Sequence, residues 1–149
     1  MDFELTKEQK DIRQAAREFA EGEFDKDLAA QLDKEHAFPR SIWKKACELG
    51  FVGMHYPEEY GGQGLGVLEN ALVVEEFCRR DSGIGTALAL CDFASEIIMR
   101  HGTKEQKERL LPAIASGRMI SAGCFTEPNH GSDITTMDTT AVRDGDSWV

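Results

Sequence analysis

Positive charge is scarce in this sequence, cysteines are unpaired in spacing, and no apolar run is long enough to span a bilayer. Lys and Arg number 17 against 27 Asp and Glu, for a formal net charge of −10. A surface that tracks a phosphate backbone needs clustered basic residues, so this balance argues against nucleic acid as a partner. Cys47, Cys78, Cys91 and Cys124 are widely separated with no CxxC pair. That suits buried thiols in a reducing compartment better than a disulfide framework or a zinc site. No signal peptide is legible; the chain opens MDFELTKEQ, charged from its second residue. The run GGQGLG fails the GxGxxG dinucleotide template because Val67 stands where the last glycine is needed. A GxSxG nucleophile elbow is missing, and Ser132, His130 and Asp133 are too close in sequence to face one another as a triad. Glu127 and His130 have Glu-x-x-His spacing, but Pro128 removes the helix that a metal-binding bundle would need, and no metal ligand is assigned.

What is present is helical periodicity. With 149 residues and 41% hydrophobic content the chain can bury one sizeable core. Thr6 to Gln9 has capping-box spacing, and Ile12, Ala16, Phe19 and Ala20 follow on one face, which predicts a helix from Thr6 to about Phe24, its entry stapled by Phe3 and Leu5. The pattern breaks around Asp33 to Pro39. A second helix begins at Pro39 or Ser41, buries Trp43, Ala46, Cys47 and Leu49, and stops at Gly50. Pro57 and the glycines at 61, 62, 64 and 66 make a long connection. A third helix runs from Val67 or Leu68 to Arg80 on Leu68, Ala71, Leu72, Val74 and Phe77, with Glu75 and Glu76 solvated or paired with arginine. A fourth runs from about Ile84 to Arg100; its uncharged first half is enclosed by neighbours or walls an apolar pocket. Thr103 to Gln106 repeats the capping box ahead of a short helix bent at Pro112. His36, His55 and His101 read as surface or capping residues.

Gly123 to Asp133, GCFTEPNHGSD, is where this helical body gives way to extended chain. A strand at Met119 to Ser121 leads into Gly123, Cys124 and Phe125, compact or apolar enough for a strand buried on both sides. Pro128 stops the ladder, and Gly131 can take positive φ. Ser132 and Asp133 are good N-caps for a helical turn near Ile134, whose free N–H groups would suit a pyrophosphate. Thr139 to Arg143 alternate as a further strand, Asp144-Gly145-Asp146 turn the chain, and Trp148 is expected in the core.

The stretch TEPNHGSD closely resembles the TEPxxGSD flavin-binding signature of the acyl-CoA dehydrogenase family, with PEEYGGQG and HGTKEQKERLLPAIASG also characteristic of it. His130 departs from the small residue usual there. The resemblance implies a mainly α fold, with residues 1–118 as the N-terminal helical domain and 119–149 as the incomplete start of a flavin-binding β-barrel domain. The chain is then part of a longer enzyme, not expected to turn over alone. It further implies FAD, bound by Cys124, Phe125, Thr126, Gly131 and Ser132, with Ser132 also touching a CoA thioester. The implied reaction removes a proton and a hydride from adjacent carbons of an acyl-CoA, the proton to a carboxylate and the hydride to flavin N5. The usual family glutamate lies in a later region, outside this chain. An electron-transfer flavoprotein is the implied electron acceptor, the oligomer a homotetramer, and the location cytoplasmic, or the mitochondrial matrix in a eukaryote.

Asp92 has two readings. At spacings of four with Glu96 and Arg100 it belongs to a solvated stripe. Alternatively it shares a space with Leu88, Ser95 and Met99, where a carboxylate in apolar surroundings can act as a base. The second reading makes it a candidate catalytic residue toward an alicyclic acyl-CoA. Two other functions stay open: an acyl-CoA oxidase or flavin monooxygenase of the same fold, and a non-catalytic helical interaction module.

Overall fold

A computed structural model describes residues 4 to 149; the Phe3 half of the expected staple lies outside them. Among the described residues seven α-helices make up the body: α1 (Lys7–Glu23), α2 (Lys26–Glu35), α3 (Arg40–Glu48), α4 (Val67–Arg80), α5 (Ser82–Ala89), α6 (Ser95–His101) and α7 (Lys104–Ala115). A two-stranded antiparallel hairpin, β1 (Arg143–Asp144) and β2 (Ser147–Trp148), follows. The fold is therefore mainly α, as expected.

Local chemistry sets several helix ends. Thr6 and Thr103 each form the full capping box, with Gln9 and Gln106 respectively. Gly50 ends the α3 segment in the left-handed region at φ +77°, where only glycine is unstrained. His36 caps α2 at φ 51°, which bears out its reading as a capping histidine.

The core gathers around an aromatic cluster. Phe19 and Phe24, at the end of α1, meet Phe51 and Phe77 with ring centroids 5.3 to 6.0 Å apart, distances at which tilted and edge-on pairs attract. Trp43, Met54, Tyr56, Leu111 and Ile114 are fully buried around it. Helix α4 runs through the middle, packing on α1 and α5. Its closeness to α5 depends on Gly85, where an added Cβ would lie 2.7 Å from the Cys78 backbone nitrogen. Between α1 and α4, Glu76 is 3% exposed and accepts hydrogen bonds from Arg13 and Arg17 at 2.7 to 3.0 Å, with Arg79 at 3.6 Å. Of the two readings offered for Glu76, pairing with arginine is the one observed. These guanidiniums, Arg17 foremost, hold its carboxyl at about 2, against the burial that would raise it.

Several expectations are corrected. Helix α2 occupies part of the region where the pattern was expected to break. Asp25 caps it by accepting from the N–H groups of Asp27 and Leu28, while Leu28, Ala29 and Leu32 are only partly buried on the core. The helix expected over 84–100 is two: α5 ends at Ala89 and α6 begins at Ser95. Leu49 and Leu68 are exposed at 61% and 52%, and Ala71 also faces outward, whereas Ile42 and Val73 take buried positions. Residues 122–126 are exposed and form no strand, because no described segment lies beside them to complete a ladder. The expected strand at Met119 to Ser121 reduces to a single parallel bridge between Ser121 and Asp92, and that over Thr139 to Arg143 to β1. Trp148 is 69% exposed, outside the core. The Asp144-Gly145-Asp146 turn stands, with Gly145 at φ +59°. Among the described residues no helix is long and apolar enough to cross a membrane.

Candidate functional site

The break between α5 and α6 turns Asp92 inward. Leu90, Cys91 and Asp92 leave the helix, and Ser121 joins them through its N–H, which donates to the Cys91 carbonyl at 2.8 Å. Ser95 opens α6 with both its N–H and its hydroxyl donating to the Asp92 carbonyl. The Asp92 side chain is then 14% exposed and lines a cavity of about 10 Å³ with Phe51, Val52, Val73, Phe77 and Leu88, space for roughly one water.

The solvated-stripe reading of Asp92 is therefore overturned. Glu96 and Arg100 do pair on the α6 surface, but Asp92 is directed the other way, because the chain is not helical between Leu90 and Ala94. Its Oδ2 accepts from the Gly53 N–H at 3.0 Å and lies 4.0 Å from His55 Nδ1. Gly53 sits at φ +68°, and a Cβ there would come within 2.5 Å of the Tyr56 ring, so the amide that holds the carboxylate requires glycine. Burial pushes the Asp92 carboxyl up; the Gly53 hydrogen bond and the His55 charge pull it part of the way back. Burial also raises Cys47 to about 11 and Cys91 to about 12, and raises Tyr56. These neighbours are thus neutral at pH 7, and the thiols are unreactive.

The sequence reading of His55 as a surface or capping histidine missed its place beside Asp92. Its ring packs edge-on against Tyr56, 4.8 Å between centroids, and its side chain is 19% exposed. Nothing local in GMHYP marks it; only the return of the α3–α4 connection beneath the α5–α6 break brings it to Asp92.

The segment from 123 to 139 meets the same side of the molecule at Phe125. Phe125 meets Phe93, next to Asp92, edge-on at 5.5 Å. Gly123 makes room for this, since a Cβ on it would fall 2.2 Å from the Phe125 ring. Leu90, Phe93, Ile97, Met119, Ile120 and Phe125 are exposed apolar residues of these segments. Cys124, Thr126 and Ser132 are exposed as well.

Beyond Phe125 the chain fastens to itself. Glu127 and His130 exchange backbone hydrogen bonds of 2.9 and 3.2 Å around Pro128 and Asn129. The Glu127 carboxylate accepts from the N–H groups of Asp138 and Thr139 and from the Thr139 hydroxyl. His130 contacts Thr136 through Nδ1 at 3.1 Å and Asp138 through Nε2 at 3.0 Å. Glu127, His130 and Asp138 are close enough together to surround an ion, but each is engaged in closing this loop.

Gly131 does not take the positive φ expected of it; the tight turn is made at Pro128-Asn129 instead. Its face is open, with nothing within 4 Å of an added Cβ. The turn over Ile134–Thr136 forms, but Asp133 caps it by accepting from the Thr135 N–H at 3.1 Å. The anion site expected there is thus partly filled by the chain's own carboxylate.

Comparison with known proteins assigns this architecture. Residues 6–118 match the model of the acyl-CoA dehydrogenase N-terminal domain. The chain is 42% identical over 97% of its length to acryloyl-CoA reductase (NADH) of Anaerotignum propionicum, covering 36% of that protein. It is 41% identical over its whole length to the short-chain specific acyl-CoA dehydrogenase of Clostridium acetobutylicum, covering 39% of it. A glutaryl-CoA dehydrogenase from Mycobacterium smegmatis, solved in complex with FADH2, superimposes with a TM-score of 0.85 at 30% identity, over 97% of this chain and 37% of that one. The chain thus spans less than two fifths of the length of each. From its helical body and from these matches, the chain belongs to the acyl-CoA dehydrogenase family.

Proposed function

We propose that this chain supplies the helical wall and part of the flavin site of an FAD-dependent acyl-CoA dehydrogenase. The observation that carries the reading is the match of residues 6–118 to the acyl-CoA dehydrogenase N-terminal domain with the stretch TEPNHGSD beyond it; Phe125 of that stretch meets Phe93, the chain neighbour of Asp92. Residues 1–118 would be the N-terminal domain and 119–149 the opening of the flavin-binding domain.

The residues present fit FAD. Phe125 offers a half-exposed ring for a planar tricycle, Thr126 and Ser132 offer free-standing hydroxyls on the exposed loop, and Gly131 leaves room for close approach of a diphosphate. Cys124 would contribute through the adjacent backbone. Bound FAD supplies a hydride acceptor at its N5. The chain's own part is to hold the thioester through Ser132, keep water from the apolar face of Leu90, Phe93 and Phe125, and present Asp92 as a base.

Asp92 is the feature that narrows the substrate. A second carboxylate behind this wall, besides the family glutamate, is placed to take a proton through the single water that its cavity has room for, away from the usual position, which favours an alicyclic acyl-CoA. A buried, upward-shifted carboxyl beside a histidine supports that role, since such groups concentrate at sites of proton transfer. An electron-transfer flavoprotein as acceptor, a homotetrameric assembly and a cytoplasmic or mitochondrial-matrix location belong to the same proposal.

The test is anaerobic turnover of the full-length, flavin-loaded protein. With an acyl-CoA and electron-transfer flavoprotein, the acceptor is expected to be reduced at catalytic rates, with little peroxide formed in air. Rapid peroxide formation without the acceptor would instead identify an oxidase, and a preparation that binds no flavin would identify an interaction module.

A further inference from the structure

The α3–α4 connection buries His55 Nδ1 with no hydrogen-bond partner among the described residues. A buried ring nitrogen in that state is costly unless it gains a partner. Asp92 Oδ2 lies 4.0 Å from it. That distance is too long for a hydrogen bond and is closed by a shift of about 1 Å. Hydrogen bonds at such sites are often loose before substrate binds and tighten afterwards.

The two contacts on Asp92 are made to one oxygen. Gly53 N–H and His55 Nδ1 both address Oδ2, and the backbone amide of Asp92 itself also favours the ionised carboxylate. The other ionisable groups packed around the carboxylate are Cys47 on α3, Cys91 beside it in the chain and Tyr56 in the loop. All three are pushed upward by burial and bear no charge at pH 7. The positive influence on Asp92 from a side chain comes from His55.

We propose that His55 is a positioning residue for Asp92: its Nδ1–H closes onto Oδ2 beside the Gly53 amide, fixing the carboxylate in the orientation from which it takes a proton. The catalytic consequence rests on the reading of Asp92 as a base, whereas the pairing itself does not. The proposal also specifies that Nδ1 carries the proton directed at the carboxylate. Tyr56 packs edge-on against the ring and limits its movement.

The experiment uses the full-length, flavin-loaded enzyme with 13C-carboxyl-labelled aspartate, and follows the Asp92 resonance through a pH titration. In His55→Phe, the Asp92 midpoint is expected to rise by about one unit or more, because the ring's favourable contribution is lost while burial remains. His55→Gln, whose side-chain amide can still donate, is expected to shift it less. The acidic limb of the pH profile of kcat/KM should move upward with the resonance, while KM changes little. Nitrogen-15 spectra of the histidine ring should show a protonated Nδ1. An unchanged Asp92 midpoint in both variants, each retaining flavin absorbance, would overturn the pairing. If the midpoint moves but Asp92→Asn turns over normally, the pairing stands and the base assignment falls. If Asp92→Asn is inactive but the midpoint stays put, the base assignment stands and the positioning role is refuted.

Discussion

Replacing Asp92 with Asn in the full-length enzyme is expected to lower kcat on its preferred substrate by about 10² to 10⁴-fold, the usual contribution of a positioned general base. Asn can still accept from the Gly53 N–H, so flavin binding and substrate affinity should remain near normal. The pH dependence follows from burial. A base must be ionised, and this carboxyl is raised above the ordinary value of 3.8. Activity should therefore fall away on acidification at a higher pH than an unburied aspartate would give. Stability should respond in the opposite sense. A carboxyl whose folded value is raised costs stability progressively as pH rises from the unfolded value to the folded one, and in full above it, because folding opposes its ionisation. The Asn variant is accordingly expected to unfold no earlier than the parent at neutral pH, as calorimetry would show. Loss of activity together with a large loss of stability would instead make Asp92 a structural residue.

Substituting Glu76 with Ala has its expected effect on stability. It would strand Arg13 and Arg17 against α4 and remove the ion-paired link between α1 and α4. Breaking a buried pair by removing one partner costs about 3–5 kcal/mol. Here the arginines are 33% and 39% exposed, so they recover hydration, and a loss of about 2 kcal/mol is expected. The contribution has a defined pH window. The Glu76 carboxyl lies at about 2 when folded against 4.5 for the free group, so its stabilisation is complete above 4.5 and is lost as pH falls toward 2. Thermal unfolding of Glu76→Gln should therefore lack part of the parent's steep acid dependence between these values. An identical slope in both would refute the assignment.

How much of this was legible in the sequence depended on where each interaction partner lies. Helices α1, α4 and α7 announce themselves because their caps and apolar spacing are local. Thr6 needs only Gln9 three residues on, and Thr103 only Gln106. The short α2 escaped because its apolar residues are only partly buried among charged ones, although Asp25 ahead of KDLAAQL was a usable start signal. Asp92 was misplaced on the solvated reading because periodicity assumes that a helix continues. GIGTALAL runs uncharged toward Arg100, and nothing in those letters says that the chain opens at Leu90. Its partners, Gly53 and His55, lie 39 and 37 positions earlier in the sequence; the loop that returns them is shaped by glycines, not by a repeating pattern. The 123–133 stretch shows the reverse. Its letters carry the family resemblance, while the strand geometry expected of it is absent because a strand exists only with a neighbour to complete its hydrogen bonds.

The most direct test of the central claim, that the signature loop and Asp92 serve one dehydrogenation site, is rapid anaerobic mixing of the flavin-loaded enzyme with acyl-CoA thioesters. The parent enzyme is expected to lose its flavin absorbance fastest with an alicyclic acyl-CoA, and the Asp92→Asn enzyme to bind that thioester without bleaching. Equal bleaching rates in the two proteins would contradict the account.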